Sequence, residues 1–275
     1  MKSIFIAIFL SVSTFAFSQI ITYSQWVERA ANYIEANRFN EAATAFQQAM
    51  ALDPTNENNP VLLLHLGVLQ RHIGLLDDAY LSFTASLNLG ADAEPVLLQR
   101  AALLIEMERF DDAMEDYNTI LRRNPQNTEI HYRRGVLFLE RGDRTRAEAD
   151  FEAAERINPT DMYTLLGRAL LYKLNDEWEA AIAIYTYLID TVPAPNDGLF
   201  LSRAEGLVHT EQYFRAAADL RVLERSQRDN PFFFFLRGRV RLGQDEPLAA
   251  RNDFRRAREL GYLPDIDEWI RRTEW

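Results

Sequence analysis

The sequence predicts an all-α solenoid of about seven helix-turn-helix repeats followed by a C-terminal capping helix. Alanines recur along the chain, mostly 34 residues apart. A large apolar residue follows each alanine by four positions, and a small residue precedes it by twelve. Because a helix pair of this length cannot bury its apolar face alone, such a period predicts stacked helical repeats that share a continuous core.

The three ladders run through the whole chain after its N-terminus. The alanines are Ala42, Ala79, Ala113, Ala147, Ala181, Ala216 and Ala250. The large residues are Phe46, Phe83, Tyr117, Phe151, Tyr185, Leu220 and Phe254. The small residues are Ala30, Gly67, Ala101, Gly135, Ala169, Ala204 and Gly238. Small residues let the second helix of a pair approach closely, and the large residues fill the seam between the two helices.

Residues 131–159 show how the sequence specifies each element of one repeat. Gly135 and Phe138 share a face of a first helix, and Gly142-Asp143 supplies a turn with a side-chain cap for the next helix. Asn158-Pro159 ends the second helix, because proline disfavours the helical conformation of the residue before it and cannot donate a backbone hydrogen bond.

The first repeat resembles the tetratricopeptide repeat family, and the similarity extends over about residues 23–262. It rests on a set of residues at the family spacing, Trp26, Ala30, Tyr33, Ala42, Phe46, Ala49 and Pro54. The resemblance implies a right-handed superhelix that acts as a protein-interaction scaffold, without naming a partner. The expected repeats cover residues 23–56, 60–93, 94–127, 128–161, 162–195, 197–230 and 231–262, within a repeat region of 19–262.

Two of these repeats depart from the pattern at their ends. Repeats two and seven lack the closing proline and end in Leu89-Gly90 and Leu260-Gly261. Glycine there can adopt the left-handed conformation that ends a helix. The last segment, residues 263–275, is expected to form a short capping helix with Pro264 in its first turn and an apolar face made by Ile266, Trp269 and Ile270.

Residues 1–18 have the features of a secretory signal peptide. One lysine precedes an apolar run from Ile4 to Leu10, and Ala16 and Ser18 fit cleavage before Gln19. The alternative is an uncleaved anchor, but the interrupted apolar core is shorter than the roughly 20 residues of a membrane span. The sequence therefore predicts an exported chain, periplasmic or secreted, whose mature form does not span the membrane. The absence of cysteine excludes a lipoprotein anchor and disulfides.

Charge and motifs limit the classes of function. The formal net charge is -11, with 41 acidic and 30 basic residues, so nucleic acid is not an expected partner. His65 and His72 are seven residues apart, which is too far for the zinc pair of a metalloprotease helix, and we expect no metal and no cofactor. We expect no enzymatic activity; a hydrolase with an unrecognised acidic site is the remote alternative.

Arginines precede the small residue in most repeats, and four of them are followed sixteen residues later by an aspartate. The pairs are Arg100 with Asp116, Arg134 with Asp150, Arg203 with Asp219, and Arg237 with Asp253. Both positions flank the interface between the two helices of a repeat, which favours structural ion pairs. The alternative is a ladder of free arginines for anionic ligands. Arg29 and Arg168 face Ala45 and Ile184 and are expected to be unpaired.

The family resemblance assigns the inner, concave groove to particular first-helix positions. The candidate protein-binding residues there are Leu98, Ile105, Tyr132, Val136, Leu139, Leu166, Leu170, Leu201, Val208, Phe232 and Phe235. The same positions elsewhere hold Val27, Ala31, Leu64, Val68, Ala102 and Leu242. Lys, Asn and Arg, which clamp a C-terminal carboxylate in some relatives, are not present at these positions, so we do not expect that function.

An apolar groove with acidic rims predicts a protein or peptide partner. The rim residues are Glu35, Glu106, Glu140 and Glu205, which favour a basic flank on an apolar or amphipathic segment. Burial of these apolar residues between neighbouring first helices is the competing explanation. Two hypotheses follow, a binding scaffold of the export compartment and a structural subunit of a larger cell-envelope assembly.

Overall fold

A computed structural model describes residues 21–273, and the prediction for residues 1–18 lies outside this range. The described part is all-α, which confirms the predicted fold class. Its fifteen helices are α1 Tyr23–Glu35, α2 Phe39–Leu52, α3 Asn59–His72, α4 Leu76–Asn88, α5 Ala93–Glu106, α6 Phe110–Arg123, α7 Thr128–Glu140, α8 Arg144–Ile157, α9 Met162–Leu174, α10 Trp178–Thr191, α11 Asp197–His209, α12 Tyr213–Leu223, α13 Pro231–Gly243, α14 Pro247–Glu259 and α15 Ile266–Arg271.

The contacts group the chain into two units, and the division falls within the sequence of α6. Unit 1 comprises residues 21–116, and unit 2 comprises residues 117–273. In unit 1 one core cluster surrounds Phe46 and another surrounds Phe83. In unit 2 core clusters surround Tyr185, Leu220 and Phe254. Each of these five residues belongs to the predicted ladder of large apolar residues, so that ladder lies in the core.

A glycine in the first helix allows the ring of the second helix to approach its backbone. A Cβ atom added to Gly135 would lie 2.5 Å from Cε1 of Phe151, and one added to Gly238 would lie 2.5 Å from Cε1 of Phe254. Contacts this short do not occur for real Cβ atoms, so any larger residue would displace the ring. The small-residue ladder is therefore a steric requirement of the helix pairs that contain Gly135 and Gly238.

The turns inside the helix pairs share one geometry. The second residue after each first helix has a positive φ, and the next backbone N–H donates to a carbonyl five residues earlier, as Arg38 does to Tyr33. This is the Schellman arrangement, which satisfies carbonyls at the helix end. The residues with positive φ are Asn37, Gly74, Glu108, Gly142, Asp176, Glu211 and Asp245. Asp143 also caps α8 by accepting a hydrogen bond from the Arg146 N–H, as the sequence predicts.

Glycine also ends two of the second helices. Gly90 follows α4 with φ 87°, and Gly261 follows α14 with φ 98°. Both residues have the left-handed conformation that was predicted for the glycines at the ends of repeats two and seven. A residue without Cβ adopts this conformation at little steric cost.

The C-terminal helix differs from its prediction at its first turn. α15 begins at Ile266, after Asp265, whose φ is 47°. The left-handed backbone of Asp265 cannot continue a right-handed helix, so Pro264 lies before the helix and not in its first turn. Ile266 and Ile270 of α15 are buried in the cluster around Phe254. The helix therefore covers that part of the core.

Candidate partner-binding surfaces

Each of the four spaced arginine–aspartate pairs forms a bidentate ion pair. Nε and Nη2 of the arginine donate to the two carboxylate oxygens over 2.6–3.0 Å. The aspartates are only 3–4% exposed. These guanidinium groups are engaged within the chain, so they do not form the free arginine ladder that was the alternative.

Asp150 also has a second hydrogen-bond partner, His131. Nδ1 of His131 lies 2.9 Å from Oδ1 of Asp150, while Nε2 of His131 lies 3.1 Å from the carbonyl of Pro125. Burial raises the pKa of the Asp150 carboxyl, but the hydrogen bonds from Arg134 and His131 outweigh it and leave the pKa below its usual value. Asp150 is therefore held as a carboxylate among three donors.

The expectation that Arg168 is unpaired was wrong. Nε of Arg168 lies 3.5 Å from Oε1 of Glu155, and Nη2 lies 3.5 Å from the Tyr172 hydroxyl. Ile184 holds the position that aspartate holds in other repeats, so the guanidinium finds a carboxylate in α8 instead. Arg29 pairs with no carboxylate within residues 21–273, and its guanidinium lies 5.1 Å from the centre of the Trp26 ring.

The candidate groove residues are less accessible than the sequence predicted. Val208 and Phe235 are 1% and 7% exposed and belong to the core, so their assignment to a binding surface was wrong. Large side chains cluster with them, Leu207 and Leu236 with Val208 and Tyr262 with Phe235. The other nine are partly buried: Leu98, Ile105, Tyr132, Val136, Leu139, Leu166, Leu170, Leu201 and Phe232.

Three of these residues lie together in a small cleft of unit 2. Tyr132, Leu166 and Leu170 line a volume of about 200 Å³, together with Tyr185 and the start of α11. Burial raises the pKa of the Tyr132 hydroxyl, so this ring remains neutral across the physiological range. The cleft can receive a small apolar group, with a phenol at its edge.

A larger apolar pocket lies in unit 1, between α1 and α3. Its volume is about 580 Å³, and its lining residues are Tyr23, Ser24, Val27, Ala31, Ile34, Phe46, Asn58, Val61, Leu62 and His65. Ile34 and Val61 are 37% and 48% exposed and line the same concavity. Exposed apolar surface that lines a concavity is typical of partner sites.

The sequence anticipated only part of this pocket. Val27 and Ala31 were among the groove positions outside the main candidate set, whereas Ser24 and Asn58 were not considered. Val27 is the smallest residue at its first-helix position, where the later repeats hold Leu64, Leu98, Tyr132, Leu166, Leu201 and Phe235. That reduction in size was the signal that could have indicated an open pocket.

The rim charges divide into neutralised and free carboxylates. Glu106 accepts hydrogen bonds from Arg71 at 2.9 and 2.6 Å, and Glu205 is 2.5 Å from Nζ of Lys173. Within residues 21–273, Glu28 and Glu35 form no ion pair, and both are exposed beside the pocket residues Val27 and Ile34. The unit 1 pocket therefore has an uncompensated acidic edge.

Within residues 21–273, no group of three or more His, Cys, Asp or Glu side chains is placed to hold a metal ion. None of the helices in that range combines the length and apolar character needed to span a lipid bilayer.

Family models and known proteins agree with this helical-repeat fold. Models of the tetratricopeptide repeat match residues 24–56 and 98–162. A crystal structure of a tetratricopeptide repeat protein from Parabacteroides merdae is 30% identical, with a TM-score of 0.68, over 91% of this chain and 98% of that one. The chain belongs to the tetratricopeptide repeat family, and this fold supports a role as a protein–protein interaction scaffold.

Curated relatives share parts of the chain. Human Superkiller complex protein 3 is 24% identical over 159 residues, which are 56% of this chain and 10% of that protein. The Drosophila melanogaster homolog of tetratricopeptide repeat protein 36 is 39% identical over 89 residues, which are 30% of this chain and 48% of that protein. The chain thus spans half or less of the length of these two relatives.

Proposed function

We propose that this chain is a non-enzymatic scaffold of an export compartment that binds an amphipathic segment of a partner protein in the unit 1 pocket. The observation that carries the proposal is the exposed apolar surface of Ile34 and Val61 inside a concavity of about 580 Å³. That volume lies within the range of side-chain and ligand pockets in proteins, roughly 300–1,000 Å³. The assignment to the export compartment rests on the signal-like sequence of residues 1–18.

The chemistry of the pocket selects the occupant. The walls come from neighbouring first helices, with Val27, Ala31 and Ile34 on one side and Val61 and Leu62 on the other. An amphipathic helix presents apolar side chains at spacings of three and four residues, which suits two parallel apolar walls. The free carboxylates of Glu28 and Glu35 favour lysine or arginine on the flanks of the segment.

The experiment uses two synthetic helical peptides of equal length, one built from leucine and lysine and the other from leucine and glutamate. We expect the full chain to bind the lysine peptide at least tenfold more tightly in calorimetric titration. Val61→Glu places a charge in the pocket wall and should remove most of this binding. Position 61 is in the first turn of α3, where an acidic side chain is tolerated, so we expect the variant to fold.

Leu81→Glu is the matched control. Leu81 is 64% exposed on α4 and lies outside the pocket, so the same change in charge occurs in the same unit. The control should bind the lysine peptide as the unmodified chain does. Equal loss in both variants, or equal binding of the two peptides by the unmodified chain, would refute the proposal.

A further inference from the structure

Arg239, on α13 in unit 2, is the exception among the partly buried arginines of residues 21–273. It forms no hydrogen bond or ion pair there. The others all donate to an oxygen: Arg71, Arg100, Arg109, Arg133, Arg134, Arg168, Arg203, Arg237 and Arg241 to a carboxylate, and Arg251 to Thr273. An unpaired guanidinium that has lost part of its water shell is unfavourable in the folded chain.

The pKa of Arg239 also differs from those of the paired arginines. Burial lowers its pKa, whereas ion pairs or hydrogen bonds raise the pKa of Arg100 and Arg203. The nearby positive charge of Arg272 lowers the pKa of Arg239 further. The chain therefore holds a cation at this place without a balancing anion of its own.

Aromatic rings form the wall beside Arg239. Its Cζ atom lies 5.0 Å from the centre of the Trp269 ring, and Cζ of Arg272 lies 4.4 Å from the same centre. The Phe235 ring is 5.8 Å from the Trp269 ring and 4.4 Å from the Tyr262 ring. A guanidinium near a ring face keeps its N–H edge available, and that edge matches a carboxylate in a bidentate fashion.

Two carboxylates of this region are already paired with other cations. Glu205, whose charge raises the pKa of Arg239, is 2.5 Å from Nζ of Lys173. Glu268 is 2.5 Å from Nη2 of Arg272. The other titratable neighbours are the imidazole of His209 and the phenol groups of Tyr213 and Tyr262, none of which is a carboxylate. A positive charge is thus left over in a chain whose formal net charge is -11.

We propose that Arg239 and Trp269 bind an acidic side chain of a partner polypeptide, an aspartate or glutamate next to an aromatic residue. The carboxylate pairs with the N–H edge of Arg239, and the neighbouring ring packs against Trp269 and Phe232, which remain partly exposed. The distant acidic residues of the chain repel this carboxylate only weakly, because salt screens the interaction between charges more than about 8 Å apart. This site shares no residue with the unit 1 pocket, so either proposal can fail alone.

The experiment follows the indole N–H signal of Trp269 in nitrogen-edited NMR spectra of the full chain. A Trp269→Phe variant identifies this signal among the four tryptophans. The probes are a four-residue peptide with a Phe-Glu centre and both ends capped, its Phe-Gln analogue, the Phe-Gln peptide with a free C-terminus, and inorganic phosphate. We expect saturable shifts with the Phe-Glu peptide and at least fivefold weaker binding of each other probe.

Two variants locate the site. Arg239→Gln should remove the preference for Phe-Glu over Phe-Gln. Arg255→Gln, which changes an exposed residue of α14, should retain it. Because Arg239 is unpaired, its neutral replacement should leave the melting temperature unchanged or higher.

Four results would overturn the proposal. In three of them the Phe-Gln peptide, the Phe-Gln peptide with a free C-terminus, or phosphate alone binds as tightly as the Phe-Glu peptide does. In the fourth, Arg239→Gln has a lower melting temperature than Arg255→Gln. The last result would assign Arg239 a purely structural role.

Discussion

The apolar first-helix residues of unit 1 open into a pocket of about 580 Å³, whereas the corresponding residues of unit 2 enclose a cleft of about 200 Å³. The two regions have similar hydrophobicity but different side-chain sizes. Val27 lines the unit 1 pocket, while at the same repeat position in unit 2 the larger Tyr132 and Leu166 line the cleft. Phe235, also at this position, packs against Phe232 with 6.3 Å between the ring centres. An apolar pattern thus predicts a buried or a binding face equally well, and residue size decides between them.

The largest expected effect tests this comparison directly. Phe235→Ala should lower the free energy of unfolding by about 3–5 kcal/mol, because Phe235 contacts the rings of Phe254, Tyr262 and Trp269 and its loss leaves a cavity. Ile34→Ala, on the open face of unit 1, should lower it by less than about 1 kcal/mol. Urea denaturation of the two variants measures the contrast, and equal losses would contradict the assignment of one face as core and the other as open surface.

The second prediction concerns the polar seam within a helix pair. Asp150→Ala removes the shared partner of Arg134 and His131 and should lower the free energy of unfolding by about 1–3 kcal/mol. The double variant with Arg134→Ala should lose less than the sum of the two single losses. Strict additivity in urea denaturation would mean that the two side chains do not interact.

The same carboxylate gives a pH dependence with a definite sign. The pKa of Asp150 is lower in the folded chain than its usual value of about 3.9. Its contribution is therefore fully present above about pH 4 and is lost as the pH falls through the folded-state pKa. The stability difference between the unmodified chain and Asp150→Asn should shrink over that acidic range.

The smallest expected effect applies to both units alike. Glu108 in unit 1 and Glu211 in unit 2 have φ 57° at the turns of their helix pairs. Glu108→Gly and Glu211→Gly should each raise the free energy of unfolding by about 0.5–1 kcal/mol, because glycine adopts this conformation without steric strain. Glu152→Gly, within α8, is the control and should lower it by about 1 kcal/mol. A loss at the turn positions would show that their side chains stabilise the turns.

The sequence predicted the features that repeat and missed those that depend on particular neighbours. The period placed Phe151 and Phe254 in the core, and the sixteen-residue spacing identified the partner of Arg134. The contact of Arg168 with Glu155 was missed because the recognised pattern pairs arginine with an aspartate sixteen residues later, whereas this glutamate lies thirteen residues earlier. The burial of Val208 was missed because it depends on the size of side chains from adjacent helices, which a single helix pattern does not encode.

The repeat pattern of the sequence also did not predict the unpaired charge of Arg239. It lies on a helix whose apolar residues dominated the interpretation, and its surroundings include Trp269 from α15, thirty positions later. A lone basic residue in an apolar stripe was the available signal. Its meaning required knowing that the carboxylates of Glu205 and Glu268 are taken by other cations.

The close approach of Gly135 to the Phe151 ring has a consequence for how such repeats can diverge. A methyl group at position 135 and the present ring at position 151 exclude each other, since their atoms would be 2.5 Å apart. By contrast, Ala169 is tolerated beside Tyr185, which lies in the same cluster. A larger residue at position 135 therefore requires either that the Phe151 ring shifts or that position 151 changes as well. Duplication or exchange of genetic segments within this chain would preserve folding best when the breakpoints fall outside the interval between the two residues, so that each repeat is inherited as a matched block.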